Sequence, residues 1–410
     1  MERKTKILFL AARLPYPLVG GDRVKPHYLL KHLAGRFDVT LITFSQGRHY
    51  RAEYVRHLEE MGIHVKVIKV NPLRAGLMAL LNAFRFPLEI GYYYSKEFRS
   101  EVERTIEQGG FRIGFSFFMR TAEYLKDSSG QMKKVLIAED CRTLYQQRSS
   151  AGNRSFIQRA VRAFERIKLR KYEPEIVNHF DAVTFVTDTD IEAMRLMNPD
   201  GNYFLLSNGF DSQRFSPAPD GAKRYGVLFC GKLDVAANAL MAERCVERIF
   251  PVVRRSIHDA SLTIAGANPS KSLRKRAEAS GIEIVADPPD MAELLRHCQV
   301  FLHPHTGGSG IQNKLIEAMA CGAPIVTTPT GVQGIALENG VHGLIAETDE
   351  ELARCAIQLL TDGPRAAELG AQACKSANEN HRWESVFRAF DALIDSMIGE
   401  ENREELGINE

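Results

Sequence analysis

The chain has no Cys-x-x-Cys pair. Its seven cysteines, Cys141, Cys230, Cys245, Cys298, Cys321, Cys355 and Cys374, are scattered without metal-ligand spacing, which excludes a zinc module and a disulfide-stapled scaffold. They read as reduced core thiols of a cytosolic protein. No run reaches about 18 uninterrupted apolar residues, so no segment reads as a transmembrane helix. The charged N-terminus enters a strand-like run at 6–12 without the apolar stretch of a secretory signal. An excess of one charge is missing as well. Lys and Arg number 53 against 51 Asp and Glu, a net charge of +2, which gives no global reason to expect a nucleic-acid partner. No repeat or low-complexity tract occurs, so solenoid and linker architectures are excluded.

What is present is the make-up of a globular enzyme: 410 residues, 44% apolar and 25% charged. That length exceeds what one core organises, and about two domains of roughly 150 to 250 residues are expected. Short apolar runs alternate with stretches of helical period. In the first half the runs fall at 7–11, 39–43, 65–70, 113–117, 135–138 and 182–186, with helices over 24–33 and 156–172. In the second they fall at 227–230, 262–265, 282–285, 300–303, 325–327 and 344–346. Such alternation predicts parallel sheets with helices on both faces. Between the halves NGFDSQRFSPAPDGAKR, starting at Asn208, breaks both periods. The expectation is an α/β protein of two Rossmann-like domains, 1–207 and 208–382, with a closing helix over 383–410 packing back on the first. A ligand crevice is expected between the carboxyl ends of the two sheets.

The richest segment is 304–328, PHTGGSGIQNKLIEAMACGAPIVTT. A loop of Gly307, Gly308, Ser309 and Gly310 runs into an amphipathic helix carrying Lys314 and Glu317, and the helix stops at Gly322. Glycines leave backbone N–H groups open at a helix N-terminus, where the dipole favours an anion. A carboxylate farther along that helix can accept hydrogen bonds from sugar hydroxyls. Lys314 and Glu317 also have the spacing of a weak i,i+3 surface ion pair, but in this company they read as a site. In FCGKLD, Gly231 and Lys232 follow a strand directly, where a lysine can neutralise a diphosphate or simply lie solvated. We favour the phosphate contact. Asn238 reads as a helix cap or first turn. In ARLPYPLVGGDR, Gly20 and Gly21 end the first strand's loop and either admit a ligand close to the backbone or make a tight turn.

Together NGFDSQRF, FCGKLD, GIQNKLIEAMACGAPIVTTPTGVQGI and ENGVHGLI resemble the matching blocks of retaining glycosyltransferase family 4, of GT-B fold, and are most similar to the sugar transferases of bacterial exopolysaccharide gene clusters. The resemblance implies two Rossmann-like domains facing across a cleft, a nucleoside-diphosphate sugar as donor, a lipid-linked or polysaccharide-precursor acceptor, retention of configuration and no required metal or cofactor. Glu317 resembles the second glutamate of the family's E-x7-E signature, which holds the ribose. Lys232 resembles the basic residue that contacts the diphosphate, and Gly20 and Gly21 match the phosphate-proximal loop of the first domain. Where the first glutamate of the signature would stand, this chain has Ser309, as the exopolysaccharide subgroup itself lacks that glutamate. Asp140, in AEDCR, falls where relatives place an acceptor-side polar residue. Lys232 and Asp140 are thus the catalytic candidates.

Residues 154–171 hold Arg154, Arg159, Arg162, Arg166, Lys168, Arg170 and Lys171 interleaved with Ile157, Val161, Phe164 and Ile167. Such a helix either lies on an anionic membrane or packs its apolar stripe on a core. The apolar stretch 73–86 is expected to be buried, with a lipid contact as the alternative. His27, His303 and His305 are expected to be packed or solvated rather than general bases. An epimerase or hydrolase on the same frame, and a binding subunit without transfer, are the competing functions.

Overall fold

The computed structural model describes residues 4–18, 21–46, 51–128, 130–148, 156–219, 221–307 and 310–399. Gly20, Arg154, Gly308 and Ser309 lie outside the described residues. The chain divides into two compact units, Met1–Ser207 with Phe387–Glu410, and Asn208–Val386.

The first unit is built on seven parallel strands: β1 (Lys6–Ala11), β2 (Asp38–Gln46), β3 (Ile63–Val70), β4 (Phe111–Phe117), β5 (Lys133–Glu139), β6 (Ala182–Phe185) and β7 (Tyr203–Leu205). Their order across the sheet is β3-β2-β1-β4-β5-β6-β7. The second unit has β8 (Tyr225–Cys230), β9 (Leu262–Gly266), β10 (Glu283–Ala286), β11 (Cys298–His303), β12 (Ile325–Thr327) and β13 (Leu344–Ile345), in the order β10-β9-β8-β11-β12-β13. Covered by helices on both faces, the central strands bury every side chain, as in β6, or all but the first, as in β1. This is why they appear in the sequence as unbroken apolar runs. In both sheets the order reverses beside the unit's first strand, between β1 and β4 and between β8 and β11. Such switch points open a crevice at the carboxyl ends of the strands.

Twelve of the strands answer to the apolar runs read from the sequence. The three-residue β7 does not, because it is too short to carry a period. Helix Trp383–Ile398 closes the chain. From Phe387 on it lies on the first unit, where Phe387 stacks on His32 at 4.2 Å, Phe390 lies 5.2 Å from Phe115, and Asp391 takes His32 at 2.8 Å.

One burial expectation fails, and of the two alternatives for the basic helix the core-packed stripe is not found. In the helix Pro72–Leu81 and the turn after it, Leu73 is 87% exposed and Phe84 79% exposed, with Leu77, Leu80 and Leu81 also exposed, whereas Ala75, Ala79 and Phe86 are buried. In the helix Phe156–Ile176 the stripe Val161, Phe164 and Ile167 faces outward, and the buried positions include Glu165, Leu169, Tyr172, Glu173 and Ile176. The inward glutamates have a structural task. Glu165 accepts the backbone N–H groups of Leu88 at 2.8 Å and Glu89 at 3.2 Å, and Glu173 accepts those of Arg142 at 2.7 Å and Thr143 at 2.6 Å. Each carboxylate therefore satisfies the orphan donors at the start of a short helix, Leu88–Tyr92 or Arg142–Arg148.

A buried ion pair fixes the first helix, Gly21–Arg36, to the end of β5. Lys25 Nζ lies 2.6 Å from Glu139 and donates to the Leu206 carbonyl at 2.7 Å, with both side chains almost wholly buried. Burial pulls the Lys25 ammonium down and pushes the Glu139 carboxyl up, each opposed by the partner's charge. Glu139 has φ of 72°, a left-handed backbone that is costly for a residue with a side chain. Lys25→Met leaves a buried carboxylate alone and is expected to cost about 3–5 kcal/mol. Lys25→Met with Glu139→Gln should recover most of that loss, as measured by chemical denaturation.

Candidate functional site

The second unit gathers its polar groups at the switch point between β8 and β11. Gly231 follows β8, and a Cβ there would meet Asn238 at 3.0 Å and Lys314 Nζ at 3.2 Å. Across from it Gly266, at φ of 148°, brings its backbone so near that a Cβ would fall 1.8 Å from the Gly231 carbonyl oxygen. Gly266 therefore admits only glycine, and a side chain at Gly231 would crowd Asn238 and Lys314. Asn238 donates to the Lys232 carbonyl at 2.9 Å and accepts from the Lys314 ammonium.

Lys314 belongs to the helix Asn313–Ala320, whose N-cap residue Gln312 makes no side-chain capping bond. The first amides of that helix are left for another acceptor. Gly310, at φ of 77°, ends the loop before it. After the last turn Gly322, at φ of 64°, receives the chain and its N–H bonds to the Met319 carbonyl at 2.9 Å.

Glu317 stands one turn beyond Lys314. The two do not form the surface ion pair their spacing permits, because Lys314 turns to Asn238. Among the described residues no side chain lies within ion-pair or hydrogen-bond distance of the Glu317 carboxyl, whereas burial pushes it up to about 7 against the pull of Arg214 and Lys314. Burial likewise pulls the Lys314 ammonium down. His303 and His305, at the end of β11, stack 5.6 Å apart. Burial and the neighbouring Lys314 charge pull His305 to about 4 and His303 well below the usual imidazole value, so both are neutral at pH 7. His305 Nδ1 is buried without a hydrogen-bond partner, and the loop behind it is pinned by Thr328 and Thr330, which donate to the His305 carbonyl at 2.6 and 2.9 Å.

Gly231, Lys314 and Glu317 thus share one corner with Asn238, which the sequence presents only as a helix cap. Lys232 lies differently: its side chain is half exposed and its nearest carboxylate is Asp234 at 3.9 Å. Gly307 and Gly310 flank the two loop residues outside the described set.

In the first unit Gly21 opens the helix Gly21–Arg36, and Asp22 in its first turn pairs with Arg13 at 2.7 Å. Asp140 follows β5 and takes Arg142 at 3.3 Å. Arg142 also reaches Glu89 at 2.9 Å, and Arg120 reaches it at 2.5 Å. The two guanidiniums hold Glu89 down at about 2 despite its burial. This cluster of Glu89, Arg120 and Arg142 sits beyond the ends of β4 and β5 and is assembled from separate parts of the chain, so no local motif announces it. Among the described residues no three His, Cys, Asp or Glu side chains come together as a metal site, and no helix is long and apolar enough to cross a membrane.

Residues 224–362 match the family model described as glycosyl transferases group 1. The phosphatidyl-myo-inositol mannosyltransferase of Mycolicibacterium smegmatis is 24% identical over 241 residues, 56% of this chain and 60% of its own length. A Klebsiella pneumoniae protein described as an uncharacterized 44.6 kDa protein in the cps region is 22% identical over 292 residues, 67% of this chain and 73% of its own. The crystal structure of Anabaena HepE in complex with UDP and glucose superposes with a TM-score of 0.65 at 15% identity, covering 96% of this chain and 100% of that one. The chain therefore spans less than two thirds of the mannosyltransferase it matches, while its likeness to the Anabaena structure runs nearly from end to end. The match to glycosyl transferases group 1 thus lies within the second unit, and the chain has the fold of the GT-B glycosyltransferases.

Proposed function

We propose that the protein is a retaining glycosyltransferase that moves a sugar from a nucleoside-diphosphate donor to a lipid-linked or polysaccharide-precursor acceptor in the synthesis of a bacterial surface or exopolysaccharide. The observation that carries this reading is the Glu317 carboxyl, without a side-chain partner among the described residues, beside the desolvated Lys314 cation in a helix whose start has no side-chain cap. Glu317 accepts the ribose hydroxyls. The diphosphate lies against Gly231, the open amides before Lys314 and the Lys314 ammonium, with Lys232 closing on it from solvent. As the bond from the sugar's anomeric carbon to the diphosphate breaks, charge grows on the departing oxygen, and these fixed donors stabilise it most. The acceptor oxygen bonds to the same carbon from the face the diphosphate leaves, and its proton passes to the diphosphate. His303 and His305, whose basicity burial and the Lys314 charge depress, are poor proton acceptors, and fixed cations do the work otherwise given to a metal, so activity should survive chelators. Asp140, with Glu89, Arg120 and Arg142, forms the acceptor side. UDP is the first nucleotide to try, since the Anabaena structure holds it.

The acceptor's lipid character draws on the outward faces of the first unit. Lys168 donates to the Phe84 carbonyl and so ties the basic helix to the apolar turn. Exposed Leu73, Leu77, Leu80, Leu81 and Phe84 then share a surface region with exposed Phe164 and Ile167, among Arg159, Arg166, Arg170 and Lys171. Apolar side chains ringed by cations suit the interface of an anionic membrane. The M. smegmatis relative is named for a lipid acceptor, and the Klebsiella relative for a cps region.

Four outcomes are expected. UDP or a UDP-sugar raises the melting temperature of the wild type, and Glu317→Ala abolishes the shift; retained binding and turnover in that variant would remove the ribose assignment. Because the Glu317 pKa is raised to about 7 in the fold, its carboxylate form is lost as pH falls through 7. Nucleotide affinity should therefore drop about tenfold between pH 8 and pH 6, and Glu317→Gln should flatten the profile. The same raised pKa makes the group's contribution to stability favourable below its unfolded value and lost as pH rises through 7, so Glu317→Gln should stabilise the unliganded protein at pH 8 by on the order of 2 kcal/mol. Finally, Arg159→Glu with Arg166→Glu should weaken co-sedimentation with phosphatidylserine vesicles at least tenfold, at about 1 kcal/mol per cation removed; unchanged co-sedimentation would leave the helix as scaffold.

A further inference from the structure

Beneath the helix Pro72–Leu81 the first unit holds a cavity of about 530 Å³. Its walls are apolar: Phe44 comes from β2, Ile68 and Val70 from the end of β3, Ala75 and Met78 from the helix, and Tyr94 from the segment that follows. The volume lies within the range of about 300–1,000 Å³ typical of small-molecule sites. On its other side the helix packs backbone to backbone on the helix Leu88–Tyr92, where a Cβ at Gly91 would come 3.2 Å from the Ala79 Cα. The roof is thus held along one edge and spans a hollow along the other.

Three cations line the same cavity. Arg74 is answered by Glu97 at 3.4 Å. Lys69 and Lys96 are exposed and have no ion pair among the described residues, so the mouth keeps a net positive charge. The outer face of the roof is the exposed Leu73, Leu77, Leu80 and Leu81. A second cavity of about 490 Å³ shares Tyr92 and Tyr93 with the first and is bounded by Arg13, Glu89 and Arg120, beyond the ends of β1 and β4.

We infer that the cavity under Pro72–Leu81 binds the hydrocarbon chain of a lipid phosphate, with the phosphate at Lys69 and Lys96. This rests on the lipid-acceptor part of the transfer reading and assigns it a site. An apolar hollow alone accepts many occupants, but the unanswered cations at its mouth select one with an anionic head. A roof with an apolar outer face lets the chain pass from a bilayer without crossing water. The head then lies next to Tyr92 and Tyr93, where the second cavity continues toward the switch point of the sheet.

The test is calorimetric titration of the full-length protein with dodecyl phosphate below its micelle concentration, beside ethyl phosphate and dodecanol. One saturable site is expected, at least tenfold tighter for dodecyl phosphate than for either fragment. Ala75→Trp, which fills the hollow, should weaken dodecyl phosphate at least tenfold and leave the UDP-induced thermal shift intact. Lys69→Gln with Lys96→Gln should bring dodecyl phosphate down to the affinity of dodecanol. Should Ala75→Trp not fold, a diazirine-bearing alkyl phosphate on the wild type should label peptides from 67–78 and 92–97. No saturable site, undiminished binding by folded Ala75→Trp, or labelling elsewhere would overturn the inference. Sugar transfer by a protein that binds no dodecyl phosphate would overturn this site alone, whereas dodecyl phosphate binding without any nucleotide shift would leave it standing and remove the transfer reading.

Discussion

Burial strips water from Lys314 and Glu317 together, and two opposite charges one turn apart on a helix would ordinarily answer each other. Here the ammonium is taken by Asn238, and the carboxyl has no side-chain partner among the described residues. A paired lysine and glutamate would present a neutral, satisfied surface to any ligand. Separated, they leave each charge available to a ligand rather than to the other. The cost is desolvation, which both shifted groups record. The rest of the corner serves this arrangement: Gly231 leaves room for the Lys314 head, Gly266 leaves room for Gly231, and Asn238 is itself anchored on the Lys232 carbonyl.

The first unit handles its charges the opposite way. Glu89 is shared between Arg120 and Arg142, Asp140 takes Arg142, and Asp22 takes Arg13, so each carboxylate there has a guanidinium partner. Guanidiniums are well suited to such bridging, because their planar fork serves two acceptors at once. The result is a rigid polar wall at the ends of β4 and β5, held in place by glutamates that cap the helices Leu88–Tyr92 and Arg142–Arg148 from behind.

Much of this was legible in the sequence, for a physical reason. Strands buried on both faces must be apolar throughout, so β1, β8 and β11 announce themselves, and the glycine-rich run before Lys314 and Glu317 marks the approach to the helix Asn313–Ala320. Periodicity is less informative about direction. It says that Val161, Phe164 and Ile167 share a face, but not that this face looks outward while Glu165 and Glu173 look in. The inward glutamates are explained by backbone donors 30 or more residues distant, which no local window contains. The same holds for Lys25 with Glu139 and for Glu89 with its two arginines: each is a meeting of distant segments across the sheet. Lys232, which stands directly after a strand, reads as a phosphate ligand by position, yet its side chain lies in solvent beside Asp234, and the enclosed cation is Lys314.

The distribution of thiols has a practical consequence. Cys141, the single cysteine of the first unit, is fully buried, and burial with the nearby Glu173 charge raises its pKa far beyond the neutral range. In the second unit Cys230, Cys245, Cys298 and Cys321 are buried too, leaving the half-buried Cys355 and Cys374 as the accessible pair. Their pKa values are raised as well, so at neutral pH they are nearly all thiol and react slowly. A maleimide dye applied at mildly alkaline pH to the native chain, without engineering, would therefore mark the second unit and leave the first dark. The protein carries its own selective attachment points for following the second unit by fluorescence.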